Sequence, residues 1–492
     1  MNILLVYPEI PDTFWSFKHA LKFVRKQASL PPLGLLTVAA LLPESWQKRV
    51  LDLNVTRLTE SDLNWADQVF ISGMDIQRES ANEIIDRCHR HGLTVVAGGP
   101  LFSCAPDEFP EVDHLILDEA EITLPEYLSD FRTGTPAQIY RSEKHPDLLM
   151  TPNPQWHLIN FKHYATMGIQ YSRGCPYNCE FCNVTSLFGH RPRTKSPDQI
   201  IAELDTLYAR GWRDRVFFVD DNFIGNKKEL KKNLLPALID WRIKHPEISF
   251  ITESSINLAD DEQLLQMLRL AGFQSVFIGI ETPDNGSLCE AHKSQNQNRD
   301  LIADVKRIHQ AGIQVQGGFI VGFDNDTPSI FERQIRFIQQ SGIVIAMVGM
   351  LQAPTGTKLF DRMHKTGRLL GLMSGDNVDG NTNILPVMGL ETLREGYKHL
   401  MENIYAPKQY YRRLKIFLKD FSPNLVKSPI RLSEVGAFIR SIFQLGVRGK
   451  ERVYYWRLFF WTLFRKPKLF PLAITMSIYG YHFRKVCELH VS

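Results

Sequence analysis

The chain has 492 residues, of which 44% are hydrophobic and 23% charged, a composition that excludes a disordered protein and predicts two or three packed domains. Seven cysteines at uneven spacing exclude a disulfide-stapled secreted scaffold and favour a reducing, cytoplasmic compartment. The net charge of +3 hides an asymmetry, because residues 406–492 hold 17 Lys and Arg against 4 Asp and Glu, a net +13.

Residues 1–140 predict a first domain in which apolar strands alternate with helices. The N-terminus, MNILLVYPEI, lacks the basic region and cleavage site of a signal peptide and is predicted to be a buried strand. The pattern predicts further strands at residues 48–54, 68–74, 93–100 and 112–119, and helices at residues 31–43 and 79–92. Such alternation indicates an α/β fold with a parallel, Rossmann-like sheet.

Ligands of such sheets bind beyond the carboxyl ends of the strands. The candidate binding residues at these ends are Asp52, Asn54, Ser72, Gly73, Gly98 and Gly99. Tight turns alone would explain the glycines equally well.

Residues 141–164, rich in proline and polar residues, are predicted to be a linker before a second α/β series at 165–365. Its strands are predicted at residues 165–173, 215–222, 248–255, 274–282, 312–323 and 342–351. Six β/α units are too few for a closed eight-unit barrel and predict an open, partial barrel, with its chemistry at the carboxyl ends of the strands. The polar candidates at these ends are Asp220, Asp221, Glu253, Glu281 and Gln316. The alternative is that each carboxylate only caps a helix.

Residues 366–492 are predicted to form a mostly helical extension that ends in a basic, aromatic tail. The longest charge-free run of the tail, residues 469–483, is shorter than a membrane span. Aromatic rings interleaved with Arg and Lys fit a helix on a membrane surface, or a tail that wraps the barrel with its basic side in water. A nucleic-acid face is the less favoured reading.

Three cysteines, Cys175, Cys179 and Cys182, lie within the stretch SRGCPYNCEFCNV. Thiolates at this C-x3-C-x2-C spacing can reach three corners of a 4Fe–4S cluster and leave one iron open for a substrate. The alternatives are a zinc site, which would need a fourth ligand such as His190, and three unrelated core thiols.

The stretch CPYNCEFC resembles the signature of radical S-adenosylmethionine (SAM) enzymes, with Phe181 as its aromatic residue. PPLGLLTVAALLP, SGMDIQR, VVAGGP and DEAEIT are similar to the cobalamin-binding domain that precedes the barrel in one class of these enzymes. FVDDNFIGN, FIGIETP, GFIVGFDNDT, LQAPTGT and IYAPKQYYRR resemble the branch that contains the hopanoid methylases.

The resemblance implies three cofactors, which are a 4Fe–4S cluster on the three cysteines, SAM, and cobalamin in the first domain. It implies that SAM contacts Phe181, the acidic candidates Asp220, Asp221, Glu253 and Glu281, and the barrel residues Gln316, Gly318 and Gly322. It also adds Glu119 to the cofactor-binding candidates of the first domain.

The sequence departs from the family pattern at two positions. The cobalamin motif D-x-H-x-x-G is absent, its nearest fragment being Asp52-Leu53-Asn54, and Asp118 occupies a position where the family has glycine.

The predicted function is that of a radical SAM C-methyltransferase, which adds a methyl group to an unactivated carbon of a small or lipid-like molecule. The predicted partners are a reductase or flavodoxin-type electron donor and, through the tail, the inner face of the membrane, with the enzyme cytoplasmic or peripheral. A radical SAM cyclase or other carbon–carbon bond former is the first alternative. A non-catalytic iron–sulfur or zinc scaffold is the second.

Overall fold

A computed structural model describes residues 1–376, 378–422 and 432–490 of the chain. It contains two separate six-stranded parallel sheets, followed by a bundle of helices. The predicted extension at 366–492 includes residues 377, 423–431 and 491–492, which lie outside the described part.

The first sheet is built from the N-terminal strands. These are β1 (Asn2–Tyr7), β2 (Gln47–Asp52), β3 (Gln68–Ser72), β4 (Thr94–Gly98), β5 (His114–Ile116) and β6 (Ile139–Tyr140). They pair in the order β2-β1-β3-β4-β5-β6, all parallel. The accompanying helices are α1 (Lys18–Val24), α2 (Leu33–Leu41), α3 (Glu60–Trp65), α4 (Arg78–Arg90), α5 (Pro100–Cys104) and α6 (Ala120–Thr133). Ile3, Leu4, Leu5 and Val6 are all fully buried, as expected for a strand covered by helices on both faces, so the Rossmann-like prediction is confirmed.

The second sheet forms the partial barrel. The strands of this part are β7 (Met167–Ile169), β8 (Ser172–Arg173), β9 (Arg193–Thr194), β10 (Val216–Phe218), β11 (Phe250–Ser254), β12 (Phe273–Glu281), β13 (Gln314–Val321) and β14 (Ala346–Met350). Six of them, β7 and β10 to β14, lie side by side in chain order and are all parallel, which confirms the six-unit open barrel.

Helices alternate with the barrel strands. They are α7 (Val184–Phe188), α8 (Pro197–Ala209), α9 (Lys227–Glu229), α10 (Leu235–Lys244), α11 (Glu262–Ala271), α12 (Asn285–Glu290), α13 (Leu301–Gln310), α14 (Ile330–Ser341) and α15 (Lys358–Lys365), with a π-helical segment at Leu230–Leu234. The sequence specifies the start of α8 clearly, because Ser196 and Gln199 cap each other's backbone N–H groups.

One predicted strand was wrong. Residues 165–173 do not form a single strand, because β7 stops at Ile169 and β8 pairs antiparallel with β9. The break arises at Tyr171 and Ser172, whose backbone N–H groups donate to the carboxylate of Asp220 instead of to a neighbouring strand. This turn directs the chain into the cysteine loop.

The C-terminal extension covers the open edge of the barrel. Its helices are α16 (Leu390–Tyr405), α17 (Pro407–Asp420), α18 (Leu432–Ser441), α19 (Arg452–Arg465) and α20 (Phe470–His490), with a π-helical segment at Ile442–Arg448. The hydroxyls of Tyr397 and Tyr405 donate to carbonyls of edge strand β14, and the fully buried Arg413 donates to the carbonyls of Val344 and Ile404. Side chains of the extension thus satisfy backbone groups that a sheet edge leaves unpaired. Within the described ranges, no helix has both the length and the apolar character that a membrane span requires.

Candidate active site between the two sheets

A cavity of about 840 Å³ lies where the carboxyl ends of the two sheets face each other. Ser72 and Gly98 line it from the first sheet, Asp221 and Glu253 line it from the barrel, and Met373 lines it from the loop after α15. A crevice at this position is where parallel α/β sheets bind their ligands.

The cysteine loop begins at a position that only glycine fits. Gly174 has a φ of +93°, and a Cβ there would lie 2.9 Å from the carbonyl oxygens of Gly189 and Arg191. Cys175, Cys179 and Cys182 follow as half-buried free thiols. Burial raises the pKa of Cys182 to about 12, so a thiolate at this position would need a bound cation, such as iron, to stabilise its charge.

The residues around the sulfur atoms suit a multi-iron cluster. The side-chain amides of Asn222 and Gln295 lie 3.9 Å from Cys175 Sγ and 3.8 Å from Cys179 Sγ, within hydrogen-bond range of sulfur. In the described part of the chain, no three His, Cys, Asp or Glu side chains converge as ligands of one metal ion. In a 4Fe–4S cluster each thiolate would bind a different iron.

Three acidic candidates, of which Asp220 and Asp221 follow β10 and Glu253 lies near the end of β11, differ in their surroundings. Asp220 is fully buried, and its oxygens accept hydrogen bonds from Tyr171 and Ser172, including one of 2.6 Å from Ser172 Oγ. Asp221 lines the cavity and has one buried carboxylate oxygen without a hydrogen-bond partner. Glu253 also lines the cavity. Burial raises the pKa values of Asp220, Asp221 and Glu253 to about 7, about 6 and about 8.

These surroundings separate two roles. Asp220 holds the turn that leads into the cysteine loop. Asp221 and Glu253 have no ion pair among the described residues, and the charge of Arg173 offsets only part of the rise in the pKa of Asp221 that burial causes. A cationic ligand with hydroxyl groups, such as SAM, would relieve that cost and satisfy the free oxygen of Asp221.

Glu281 lies at the end of β12 with a φ of +62° and pairs with Lys293, whose Nζ is 2.6 Å from Glu281 Oε1. Burial lowers the pKa of Lys293, but Glu281 and then Cys179 raise it by more, so the amine stays charged. The amine also lies 5.8 Å from the centre of the ring of Phe181. Lys293 is not predicted from the sequence, because this lysine comes close to the cysteine loop only in the folded chain.

The barrel residues predicted to contact SAM also serve the fold itself. Gln316 donates to Ser275 Oγ at 3.3 Å. A Cβ on Gly318 would lie 2.8 Å from the ring of Phe277, and Gly322 has a φ of +107°. Their contact with SAM stays a prediction.

Asn54 lines the cavity and Asp52 does not, and the polar side-chain atoms of both residues are engaged in hydrogen bonds. Buried Asp52 accepts hydrogen bonds from Tyr164 Oη at 3.0 Å and from Asn54 at 2.7 Å. Asn54 Oδ1 accepts from the backbone N–H of Ile10 at 2.9 Å. No histidine is among the described residues that line the cavity, in keeping with the absent D-x-H-x-x-G motif.

Ser72, Gly73, Gly98 and Gly99 all line the cavity. A Cβ on Gly98 would lie 2.5 Å from the carbonyl oxygen of Ile116, so this glycine first permits close packing of β4 on β5. Gly99 has a φ of +89° and turns the chain into α5. The surface that these small residues form can receive a large flat ligand.

Glu119, predicted to contact a cofactor, lies in a buried ion network. Its carboxylate is 2.8 Å from Arg173, 2.8 Å from Arg193 and 2.9 Å from His145. Glu121 adds a second carboxylate 2.8 Å from Arg173, and Thr151 donates to it. The network joins the first domain to the strand that precedes Cys175.

Asp118, which stands where the family has glycine, adopts a φ of +61°. Its side chain accepts a hydrogen bond from the backbone N–H of Ser142 at 3.1 Å. The loop therefore keeps the left-handed turn that glycine favours, because aspartate tolerates this conformation better than most residues.

Family models match three parts of the chain. A B12 binding domain matches residues 26–128, the radical SAM superfamily matches residues 169–338, and a domain of unknown function (DUF4070) matches residues 357–492. These ranges contain the cavity-lining ends of the first sheet, the three cysteines and most of the extension.

Two relatives extend along nearly the whole chain. An uncharacterized methyltransferase of Synechocystis sp. is 40% identical over 99% of this chain and 92% of its own length. Hopanoid C-2 methylase of Rhodopseudomonas palustris is 35% identical over 93% of this chain and 88% of its own length. The chain belongs to the cobalamin-binding radical SAM enzymes. This radical SAM enzyme cleaves SAM at a 4Fe–4S cluster, uses cobalamin as a further cofactor and is a C-methyltransferase.

Solved structures share the architecture of this radical SAM enzyme. The methyltransferase TsrM from Kitasatospora setae, with cobalamin and a 4Fe–4S cluster bound, aligns with a TM-score of 0.62 over 99% of both chains at 16% identity. The cobalamin-dependent enzyme OxsB aligns with a TM-score of 0.64 over 100% of this chain and 84% of its own at 14% identity. At these identities the likeness establishes the fold.

Proposed function

We propose that this radical SAM enzyme methylates an unactivated carbon of a lipid-like, polycyclic hydrocarbon substrate. When bound, the cluster and SAM supply a carbon-centred radical and the corrinoid supplies a methyl group. The polypeptide must then hold SAM, admit the hydrocarbon and exclude water.

The charged side chains divide the binding of SAM between them. Asp221 and Glu253 offer oxygens to the cationic and hydroxyl-bearing parts of SAM. Lys293, held by Glu281, offers a buried cation beside Phe181 for its carboxylate. A preorganised site of this kind orients SAM without reorganisation at the moment of reaction.

The observation that carries the choice of substrate is the apolar part of the cavity. It is lined by Ile10, Trp15, Leu30, Leu33, Phe217 and Val219. Trp15 is 40% exposed and packs against Phe277 with ring centres 4.9 Å apart, so it presents an aromatic wall. A wall of rings and aliphatic side chains favours a flat hydrocarbon over a polar metabolite. The 35% identity to a hopanoid methylase supports the same substrate class.

The test is an anaerobic assay of the enzyme reconstituted with iron, sulfide and cobalamin. A pentacyclic hopanoid hydrocarbon in detergent is supplied with SAM that carries a trideuterated methyl group and with dithionite as the source of electrons. We expect a product heavier by one labelled methyl group, with 5′-deoxyadenosine and S-adenosylhomocysteine formed in equal amounts. A product without the label, or without S-adenosylhomocysteine, would contradict methylation and favour the cyclase alternative.

We further propose that the enzyme works at the inner face of the cytoplasmic membrane, bound through its extension. An outer stripe of exposed apolar side chains runs along α18, the following π-helical segment and α19. It consists of Val435, Ile439, Phe443, Val447, Val453, Phe460, Leu463 and Phe464, each between 39% and 76% exposed. Exposed cations flank the stripe at Arg448, Arg452, Arg457, Arg465 and Lys468. Apolar side chains beside cations fit an anionic lipid surface, where each cation contributes about 1 kcal/mol.

Burial divides the aromatic residues of α19 between packing and surface. Tyr455 is buried, and Tyr454, Trp456, Phe459 and Trp461 are partly buried against the core.

Deletion of the tail would expose the core, so point substitutions are the better test of membrane binding. Phe460→Ser/Phe464→Ser should weaken co-sedimentation with anionic phosphatidylserine vesicles at low salt. The matched control, Ile243→Ser, alters a side chain that is 73% exposed on α10. Equal recovery of the wild-type enzyme in the supernatant with and without vesicles would contradict the proposal.

A further inference from the structure

The cysteine loop reaches the surface. Pro176 and Asn178, between Cys175 and Cys179, are exposed. Reductive cleavage of SAM consumes one electron, which must enter the cluster from outside this chain. Assignment of a surface for that entry rests on the function proposed above.

Three neighbouring segments are tied to this loop by hydrogen bonds. The carbonyl of Gly189 accepts from Cys175 N at 3.3 Å. Tyr177 Oη accepts from Asn257 Nδ2 at 2.7 Å, and the carbonyl of Asn257 accepts from Lys227 Nζ at 2.7 Å.

The third tie lies at the start of α15. The backbone N–H of Leu359 donates to the carbonyl of Glu180 at 3.0 Å. The segments at residues 189–191 and 358–365 therefore contact the loop directly, and the segment at residues 227–228 is connected to it through Asn257.

Each segment carries an exposed cation close to its hydrogen bond. These residues form a cationic collar that consists of Arg191, Lys228, Lys358 and Lys365. None of the four has an ion-pair partner among the described residues. Arg362 differs, because Glu180, Asp324 and Glu290 already surround its guanidinium. Asp361 is an exposed acid on α15, which leaves the collar with a positive excess.

We propose that the cationic collar is the docking surface for an acidic one-electron carrier, such as a reduced flavodoxin. The carrier loses one electron to the cluster, and that electron cleaves the sulfur–C5′ bond of SAM to give methionine and the 5′-deoxyadenosyl radical. Opposite charge on the two surfaces steers their encounter and orients the carrier over the exposed part of the loop. Because the collar is exposed, salt screens this attraction over a Debye length of about 10 Å at 0.1 M.

The test compares two reductants on the same reconstituted enzyme, with the rate of 5′-deoxyadenosine formation as the readout. One reductant is a bacterial flavodoxin in its hydroquinone form, which needs docking. The other is reduced methyl viologen, a small cation that does not. Lys358→Glu/Lys365→Glu should slow the flavodoxin reaction about tenfold at low salt and leave the viologen reaction unchanged. Raising the salt should reduce that tenfold difference between the wild type and the variant.

A second variant, Arg191→Glu/Lys228→Glu, should reproduce the pattern from the other two segments of the collar. Lys398→Glu/Lys408→Glu makes the same charge change at exposed lysines of the extension and should alter neither reaction. Unchanged flavodoxin rates in both collar variants, or equal losses with both reductants, would overturn the assignment. The viologen reaction reports SAM cleavage without a carrier or a lipid, so failure of docking and failure of the proposed methylation are distinguishable.

Discussion

His309 predicts an acid-sensitive junction between the barrel and the extension. The residue lies near the end of α13, fully buried, with its ring centre 4.9 Å from that of Phe417 on α17. Burial lowers the pKa of His309 to about 3, so the folded ring stays neutral in mild acid. The unfolded ring, with an ordinary pKa of about 6.5, takes up a proton as the pH falls through that value.

The number of bound protons decides whether acid stabilises or destabilises the fold. Below pH 6.5 the unfolded chain binds more protons than the folded chain, so acid favours unfolding. Between pH 7.5 and pH 5.0 this single residue lowers the free energy of unfolding by about 2 kcal/mol. His482, whose pKa burial lowers to about 4, adds a similar contribution.

Urea unfolding of the anaerobically prepared enzyme at the two pH values measures the effect. His309→Leu keeps an apolar contact with Phe417 and should recover about 2 kcal/mol of the acid loss. His399→Leu is the control, since the side chain of His399 is 58% exposed. An acid loss in His309→Leu equal to that of the wild type would refute the reasoning.

Three further predictions concern the cofactors. Cys179→Ala should lose bound iron and 5′-deoxyadenosine formation, whereas Cys289→Ala, which alters an exposed thiol, should keep both in iron analysis and product assay. Gln295→Leu removes the amide 3.8 Å from Cys179 Sγ and should shift the cluster potential to more negative values in a redox titration followed by electron paramagnetic resonance, because hydrogen bonds to sulfur stabilise the reduced cluster; an unchanged potential would contradict that role. Gly98→Val should lose corrinoid absorbance and keep iron, because the new side chain displaces Ile116 on β5; full corrinoid uptake would contradict this.

Strand and helix alternation carried most of the fold prediction. A parallel strand covered on both faces is a continuous apolar run, and such runs are visible without knowledge of pairing. The strand predicted at residues 165–173 was wrong because its backbone donors bond to Asp220, which lies nearly fifty residues later in the chain. The pattern of neighbouring residues cannot predict a hydrogen bond to a residue so distant in the sequence.

Prediction of the site was sharpest where spacing along the chain sets the chemistry, as for the three cysteines, whose role as cluster ligands stays a prediction. It was weaker for single charged residues, since a carboxylate at a strand end looks the same whether it faces a ligand or a distant arginine. Asp221 and Glu119 both line the cavity, but Asp221 has a carboxylate oxygen without a partner, whereas Glu119 neutralises Arg173 and Arg193. Lys293 gave no local signal, because its partner Glu281 becomes its neighbour only after folding.

The cysteine loop is anchored on both sides by charges that belong to other parts of the chain. Arg173, two residues before Cys175, is paired with Glu119 and Glu121 of the first domain, and Glu180, next to Cys179, is paired with Arg362 of α15. The three regions that match family models are therefore not independently exchangeable. A chimaera that exchanges the first domain between relatives must carry acidic residues at 119 and 121. Otherwise it leaves the partly buried guanidinium groups of Arg173 and Arg193 without their acidic partners. A domain exchange with its boundary between residues 141 and 164 would lie in the predicted linker. It would still separate Glu119 and Glu121 from the arginines with which they form ion pairs.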